Sequence, residues 1–228
     1  MIAGHRIITS SKKPPAPRGL LYEYLLAGNG LFLRAERPDL SVLMPLATAH
    51  VRGLPPLTPF VEVPRKVSAA HLCLVLEMAI EKAKRSSGFL YESLFYLYYN
   101  SSNSLDNGWD MSFPAQHATR NSVRPAFDGP DSTYAKALID LHSHHEMQAV
   151  FSIDDDAEEV GFRIYAVLGT IFKSPTIRVR VGVYGHWWEI PAEEVFNLPE
   201  EIQDAHEEAD HEARSSISPS KDALASAV

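Results

Sequence analysis

Cysteine, long apolar runs and an apolar N-terminal segment are scarce or missing in this sequence. The single cysteine, Cys73, excludes an intrachain disulfide and fits a reducing compartment. No run of 18 apolar residues occurs, which argues against a transmembrane helix. The N-terminal stretch MIAGHRIITSSKKPPAPRG has no apolar signal core, so we expect no secretion signal. We therefore expect a cytoplasmic protein without a membrane partner.

Excess positive charge and a phosphate-binding glycine loop are missing as well. The chain has 21 Lys and Arg residues against 29 Asp and Glu residues, a formal net charge of −8. This balance argues against a phosphate-backbone partner, so we expect no nucleic acid. Gly28-Asn29-Gly30 joins two apolar stretches and lacks the longer glycine fingerprint of a phosphate loop. With 45% hydrophobic residues, the chain can still bury a substantial core.

The apolar pattern of the first 90 residues predicts strands followed by one helix. LLYEYLLA, a Gly-Asn-Gly turn and LFLRAER predict a hairpin, LSVLMPLA predicts the next strand, and residues 4–8 predict a short one. Apolar residues at i, i+3 and i+4 spacing between 72 and 83 predict a helix. We expect this helix to begin after Ser68, to end at about Ser86 and to be followed by Gly88.

Strands dominate the rest of the predicted structure. The predicted segments are, in chain order, strands at 90–99 and 109–119, a loop at 121–131, a short helix at 133–136, a strand carrying His142, an antiparallel pair at 162–171 and 176–184, and a last strand at 187–190. One helix followed by several strands, without a βαβ repeat, predicts an α+β fold. Beyond residue 199 the pattern favours a helical start and a disordered end.

One segment, LHSHHEMQAVFSIDDD, contains the residues of a metal site. It reads His142-Ser143-His144, seven further residues, Ser152, two residues and Asp155. Residues two apart in a strand point to one face, so both imidazoles can converge on one ion. Adding a carboxylate gives the ligand set of an open zinc site, although this set is not selective for zinc alone. Ser152 is placed to donate to an oxyanion beside the metal or to cap the following turn.

This spacing is that of the JAMM motif of the MPN (JAB) metallopeptidases, His-[Ser/Thr]-His-x7-Ser-x2-Asp. Every defined position is matched, so the chain resembles that family. The resemblance implies a curved mixed β-sheet flanked by helices, with Zn²⁺ as the cofactor. It also implies that His142, His144 and Asp155 are the metal ligands. His145 departs from the family, in which Pro often follows the second metal His.

The family also uses an upstream Glu as general base, at the start of a strand and about fifty residues before the first His. Glu92, in GFLYESLFYLYY, lies 50 residues before His142. Its setting resembles the Glu-x-x-Gly-hydrophobic strand start of the family, although Leu94-Phe95 stand where small residues are usual. The resemblance implies that Glu92 takes a proton from water and returns it to the leaving amine, while Ser152 donates to the oxyanion.

The runs HHEMQAVFSIDDDAEEVGFRIYAVLG and RVRVGVYGHWWEIP resemble a family of proteins encoded in the PRTRC cassettes of bacterial plasmids and integrative elements. Those cassettes also encode a ThiF-like activating enzyme and a small ubiquitin-like protein. The resemblance therefore implies a metallopeptidase that hydrolyses a peptide or isopeptide bond at the C-terminus of a ubiquitin-like protein. It further implies a ThiF-like cassette partner.

Composition and motif together predict three regions. These are a small N-terminal β-rich region at 1–65, a JAB/MPN metallopeptidase domain at 66–198, and an acidic, largely disordered tail at 199–228. A cluster of prolines at 55, 56 and 59 precedes the first boundary.

Two other interpretations use the same residues. A non-catalytic MPN-type binding module would keep the zinc site and recognise a ubiquitin-like or cassette partner. The discriminating feature is Glu92, whose carboxylate has to point toward the His pair in an enzyme. A latent enzyme would have its site covered by the N-terminal unit or by the loop at 121–131 until a partner moved it.

Overall fold

The computed structural model describes residues 3–10, 20–84, 90–103, 106–127 and 133–206. Over these ranges the protein has an α+β fold, with a few helices and several mixed sheets, which confirms the predicted fold class. Within the same ranges, no helix has the length and apolar character needed to cross a membrane.

The first sheet forms from the N-terminal part of the chain. Its five strands lie side by side in chain order: β1 (Ala3–Ile7), β2 (Tyr22–Ala27), β3 (Gly30–Arg37), β4 (Leu40–Thr48) and β5 (Phe60–Glu62). Only the β1–β2 pair of this sheet is parallel. Buried and half-buried residues alternate along β2, as expected for a strand with one face on a core. The predicted hairpin and the strand after it are confirmed, whereas β5 was not predicted.

A buried ion pair fixes the register of this sheet. Glu23 of β2 and Arg34 of β3 are cross-strand partners, and their side chains form an ion pair in which each residue is 2% exposed. Arg6 of β1 approaches the same carboxylate at 3.4 Å. A one-residue slip would leave both charges buried without each other, which is strongly unfavourable. The pair therefore specifies how β1, β2 and β3 align.

Helix α1 (Ala69–Lys84) packs into a core shared by both large sheets. Ser68 caps its first turn, because its Oγ accepts a hydrogen bond from the His71 N–H at 3.1 Å. The predicted apolar stripe is buried, except that Ile80 is half-buried. The predicted end of the helix at Ser86 and Gly88 lies outside the described residues.

The remaining elements build the second large sheet and a small one. They are β6 (Ser93–Tyr99), β7 (Trp109–Ser112), β8 (Gln116–Ala118), β9 (Val123–Pro125), α2 (Thr133–Lys136), β10 (Ile139–Ser143), α3 (Ile153–Glu158), β11 (Arg163–Gly169), β12 (Thr176–Val183), β13 (His186–Ile190) and β14 (Gln203–Asp204). The second large sheet has the order β13-β12-β11-β10-β6-β7, with β14 beside β12, and β8 pairs with β9. β10 lies in its interior, antiparallel to β6 and parallel to β11. All seven residues of β11 are buried, as expected for a central strand.

Four expectations about this half of the chain are wrong. The strand predicted at 109–119 is split into β7 and β8 around Pro114, which has no N–H for a sheet ladder. The stretch predicted as a loop at 121–131 contains β9 in its described part. Residues 199–206 are not helical, because β14 pairs in parallel with β12 there, so 187–190 is not the last strand. Ile202 is buried in the core, so this part of the predicted tail packs on the fold.

The first sheet packs on the second through a common apolar core and near the starts of β10 and β11. Buried residues of β3 and β4 belong to the same cluster as those of α1 and the second sheet. Arg37 at the end of β3 donates to the Phe162 carbonyl at 2.8 Å, immediately before β11. These contacts lie near the first residue of β10, whereas the His pair lies at its other end.

Candidate metal centre

The two histidines of the motif converge at the carboxyl end of β10. His142 lies in the strand and His144 is one residue beyond its end, so both point to the same face. Their Nε2 atoms are 3.2 Å apart, and each residue is 6% exposed. Tetrahedral zinc, with bonds of about 2.0–2.1 Å to nitrogen, needs ligand atoms about 3.3 Å apart. The spacing of the His pair therefore fits one ion.

Asp155 is brought to the same place by the first turn of α3. Ser152 is the N-cap, and its Oγ accepts from the Asp155 N–H at 3.1 Å, while the Ser152 N–H donates to Asp155 Oδ2 at 2.6 Å. This capping box engages Oδ2, and Oδ1 lies 3.6 Å from His142 Nε2. One ligand atom from each of His142, His144 and Asp155 lies within 4.8 Å of the others. These three residues can therefore hold a metal ion.

Hydrogen bonds and burial give the imidazoles the form that a metal requires. His144 Nδ1 lies 3.0 Å from the Gln148 carbonyl, which only accepts, so Nδ1 carries the hydrogen. The lone pair of that ring is then on Nε2, which faces His142. Burial lowers the pKa of His142 to about 4, so this ring is neutral at pH 7. Neutral imidazoles are the metal-binding species.

The metal loop, residues 145–151 between His144 and Ser152, lies against the end of β11. The Thr170 N–H donates to the Met147 carbonyl at 2.7 Å. A Cβ atom on Gly169 would lie 2.1 Å from the Ala149 backbone nitrogen. Because backbone atoms cannot move independently of the loop, only glycine at 169 allows this close approach.

Strand pairing places Glu92 next to the His pair. In the antiparallel ladder between β6 and β10, Ser93 pairs with Ser143, and the Ser93 N–H donates to Ser143 Oγ at 3.1 Å. Continuing this register sets Glu92, one residue before β6, beside His144. Glu92 Oε1 indeed lies 3.8 Å from His144 Nε2. The ladder thus brings Glu92 beside His144, which follows it by 52 positions in the chain.

The Glu92 carboxyl is buried beside the candidate ligands. Glu92 is 4% exposed, and among the described residues its Oε1 has no hydrogen-bond partner. Burial, reinforced by the negative charge of Asp155, raises its pKa to about 8. An unpaired buried carboxyl oxygen is costly, and native proteins rarely retain one without a role. This orphaned acceptor and the three-ligand donor set together fit a hydrated divalent cation.

A cavity of about 320 Å³ opens beside the candidate ligands. His142 and Asp155 line it, and β9 supplies one wall through residues 123–125. His145 ties the metal loop to the β8–β9 turn, because its Nε2 lies 3.0 Å from the Arg120 carbonyl. The Glu92 N–H donates to the backbone carbonyl of Thr119, in the same turn, at 3.0 Å. The unpredicted strand β9 and its turn therefore border the site.

Sequence reasoning missed several contributors to this site. Gly169 ends an apolar strand, and a glycine at such a position is a signal of close backbone approach. Gln148 acts through its carbonyl, so its side chain gives no signal. Arg180 of β12 donates to Asp156 and Glu159, which follow Asp155 by one and four residues, but its strand pattern marks it only as one polar residue among apolar ones.

A scan of the chain against protein-family models finds no match, and no curated protein matches it either. Function has to be inferred from the residues of this chain and their geometry.

Proposed function

We propose that this protein is a zinc-dependent metallopeptidase of the JAMM type, with an MPN/JAB-like fold, that hydrolyses a peptide or isopeptide bond. The observation that carries the proposal is the place of Glu92, whose buried, unpartnered Oε1 lies 3.8 Å from His144 Nε2. Three ligands and a fourth position for water make a catalytic rather than a closed structural site. A binding module has no need of a buried base, so this placement favours the enzyme.

Each residue has a defined task in the proposed reaction. His142, His144 and Asp155 would hold the ion, which when bound lowers the pKa of water from 15.7 to about 7 and polarises a carbonyl. Glu92 accepts a proton and returns it to the leaving amine. The Ser152 hydroxyl accepts from Asp155 through a lone pair, which leaves its hydrogen to stabilise the oxyanion.

The proposed substrate is the C-terminus of a ubiquitin-like protein, as the JAMM resemblance implies. In support, the site is bordered by the extended backbone of β9 and opens into a cavity of about 320 Å³. The contact of Arg37 with Phe162 lies beside the start of β11, whereas the candidate ligands lie at the carboxyl end of the neighbouring β10. A ThiF-like cassette enzyme is the proposed partner.

A cleavage assay tests the proposed function. Zinc-loaded protein is incubated with a ubiquitin-like protein carrying either a C-terminal peptide extension or an isopeptide-linked lysine peptide. We expect cleavage that is abolished by a chelator. Glu92→Gln is expected to keep zinc and to lose at least about 100-fold in rate, because the general base is gone.

Glu146→Gln is the matched control, because Glu146 is an exposed carboxylate of the metal loop outside the motif. We expect it to retain the wild-type rate. Cleavage by Glu92→Gln at the wild-type rate contradicts the role of Glu92. If the protein binds zinc and the ubiquitin-like protein but does not cleave it, the non-catalytic binding module is favoured.

A further inference from the structure

The helix that carries Asp155 is not attached to the fold by apolar burial. α3 has six residues, none of which is buried, and its first residue, Ile153, is 87% exposed. A helix of this length is not stable alone in water. The capping box satisfies its first turn but makes no contact with the sheet. Other contacts must fix the distance between Asp155 and His142.

Arg180 makes those contacts from the middle of β12. Its Nη1 donates to Asp156 Oδ1 at 2.6 Å, and its Nε donates to Glu159 Oε2 at 2.7 Å. Asp156 follows the candidate ligand directly, and Glu159 is the C-cap residue of α3. One guanidinium therefore contacts α3 at two points, within its last turn and at its C-cap. Arg180 is itself 5% exposed and the Glu159 side chain is 9% exposed, so water screens this contact little, whereas the Asp156 side chain is 48% exposed.

Aromatic residues hold the guanidinium in place. Its Cζ atom lies 4.0 Å from the centroid of the Phe151 ring and 5.2 Å from that of Trp187, both within cation–π range. Phe151 is the last residue of the metal loop, and the Trp187 Nε1–H donates to the Glu159 carbonyl at 3.0 Å. The planar, fork-shaped guanidinium suits two carboxylates and two rings at once, which an ammonium group does not.

The other ion pair of α3 is a weaker attachment. Glu158 pairs with Arg124 of β9, but the Arg124 and Glu158 side chains are 60% and 39% exposed. Exposed pairs contribute little because solvent screens them. The contact between Arg180 and Glu159 is better shielded, because the two side chains are 6% and 9% exposed.

We propose that Arg180 is a positioning residue for the metal centre, which attaches α3 to β12 and thereby sets the place of the Asp155 carboxylate relative to His142. This inference rests on the proposed metal site. His142 and His144 are held independently, by β10 and by the Gln148 carbonyl. Loss of Arg180 should therefore release the third ligand and leave the His pair.

Zinc affinity measured by competition with a chromogenic chelator tests the inference. We expect Arg180→Ala to weaken zinc binding by about 10- to 100-fold, the usual effect of losing a residue that orients a metal ligand. Arg180→Lys keeps the charge but not the fork, so we expect an intermediate affinity. Arg178→Ala is the matched control, because Arg178 lies on the same strand but donates to the Ala205 carbonyl. It is expected to bind zinc like the wild type.

A double-mutant cycle distinguishes positioning from general destabilisation. If Arg180 acts through Asp155, adding Arg180→Ala to Asp155→Ala causes no further loss of zinc affinity. A further loss of the same size as in the wild-type background overturns the inference. So does unchanged affinity in Arg180→Ala or, if that variant does not fold, in Arg180→Lys. Failure of the wild type to bind zinc would instead contradict the proposed function itself.

Discussion

Replacing Glu92 by glutamine is expected to change how the stability of the metal-free protein depends on pH. Burial raises the pKa of Glu92 to about 8 in the folded protein, whereas an unfolded chain has the ordinary value of about 4.3. Between these values the folded protein binds a proton that unfolding releases. The free energy of unfolding therefore falls as the pH rises, by about 1.4 kcal/mol per pH unit.

The interval from pH 6.5 to pH 8 isolates this effect from that of His142. Burial lowers the pKa of His142 to about 4, so its contribution to stability rises with pH, but only up to the unfolded value of about 6.5. Above pH 6.5 the contribution of Glu92 continues, and burial also raises the pKa of Asp140 to about 7 and that of Glu159 to about 9, but these two carboxyls are present in both proteins. Between pH 6.5 and pH 8 the contribution of Glu92 to the free energy of unfolding falls by about 2 kcal/mol. Groups elsewhere titrate in both proteins and cancel in the comparison.

Urea denaturation with a chelator, at pH 6.5 and pH 8, measures the difference. We expect the free energy of unfolding of the wild type to fall by about 2 kcal/mol more than that of Glu92→Gln. An equal change in the two proteins would refute the reasoning, because it would mean that the carboxyl is hydrated and not buried beside the candidate ligands. The Glu146→Gln protein, altered at an exposed carboxylate, should behave like the wild type.

Two further predictions concern backbone approach and the buried ion pair. Gly169→Ala should weaken zinc binding by about 10-fold or more in a zinc titration, because its Cβ would lie 2.1 Å from the Ala149 nitrogen and displace the metal loop. Gly161→Ala is the control, because its Cβ would meet only side-chain atoms, at 3.2 Å or more. We expect the control to bind zinc like the wild type. Arg34→Met should lower the free energy of unfolding by about 3 kcal/mol, the lower end for a broken buried pair, because Arg6 remains 3.4 Å from the Glu23 carboxylate; a loss under 1 kcal/mol in urea denaturation would contradict this.

The sequence predicts those parts of the fold that depend on local pattern. Apolar stretches bounded by turn residues locate β2, β3 and β11, and helical spacing locates α1 with its Ser68 cap. The candidate ligands are recognisable because His142 and His144 share one strand face and Asp155 follows within 13 residues. These three residues come together as predicted because each is placed by a short segment whose conformation is local.

Features that depend on distant partners are not encoded in such patterns. β9 and β14 are strands of three and two residues without apolar alternation, and each is defined by its pairing with a neighbouring strand. The position of Glu92 beside His144 follows from the β6–β10 register, which no local pattern specifies. Arg180 is likewise one polar position in an alternating strand until the fold brings Glu159 to it.

Metal content tests the central claim most directly. The protein is purified without added metal, alongside Asp155→Ala, and both are analysed by mass spectrometry. The account predicts about one zinc per chain in the wild type and loss of that zinc in the variant, since two imidazoles alone make an incomplete site. A wild-type protein that contains no zinc, even after reconstitution with zinc salt, would contradict a metallopeptidase built on His142, His144 and Asp155.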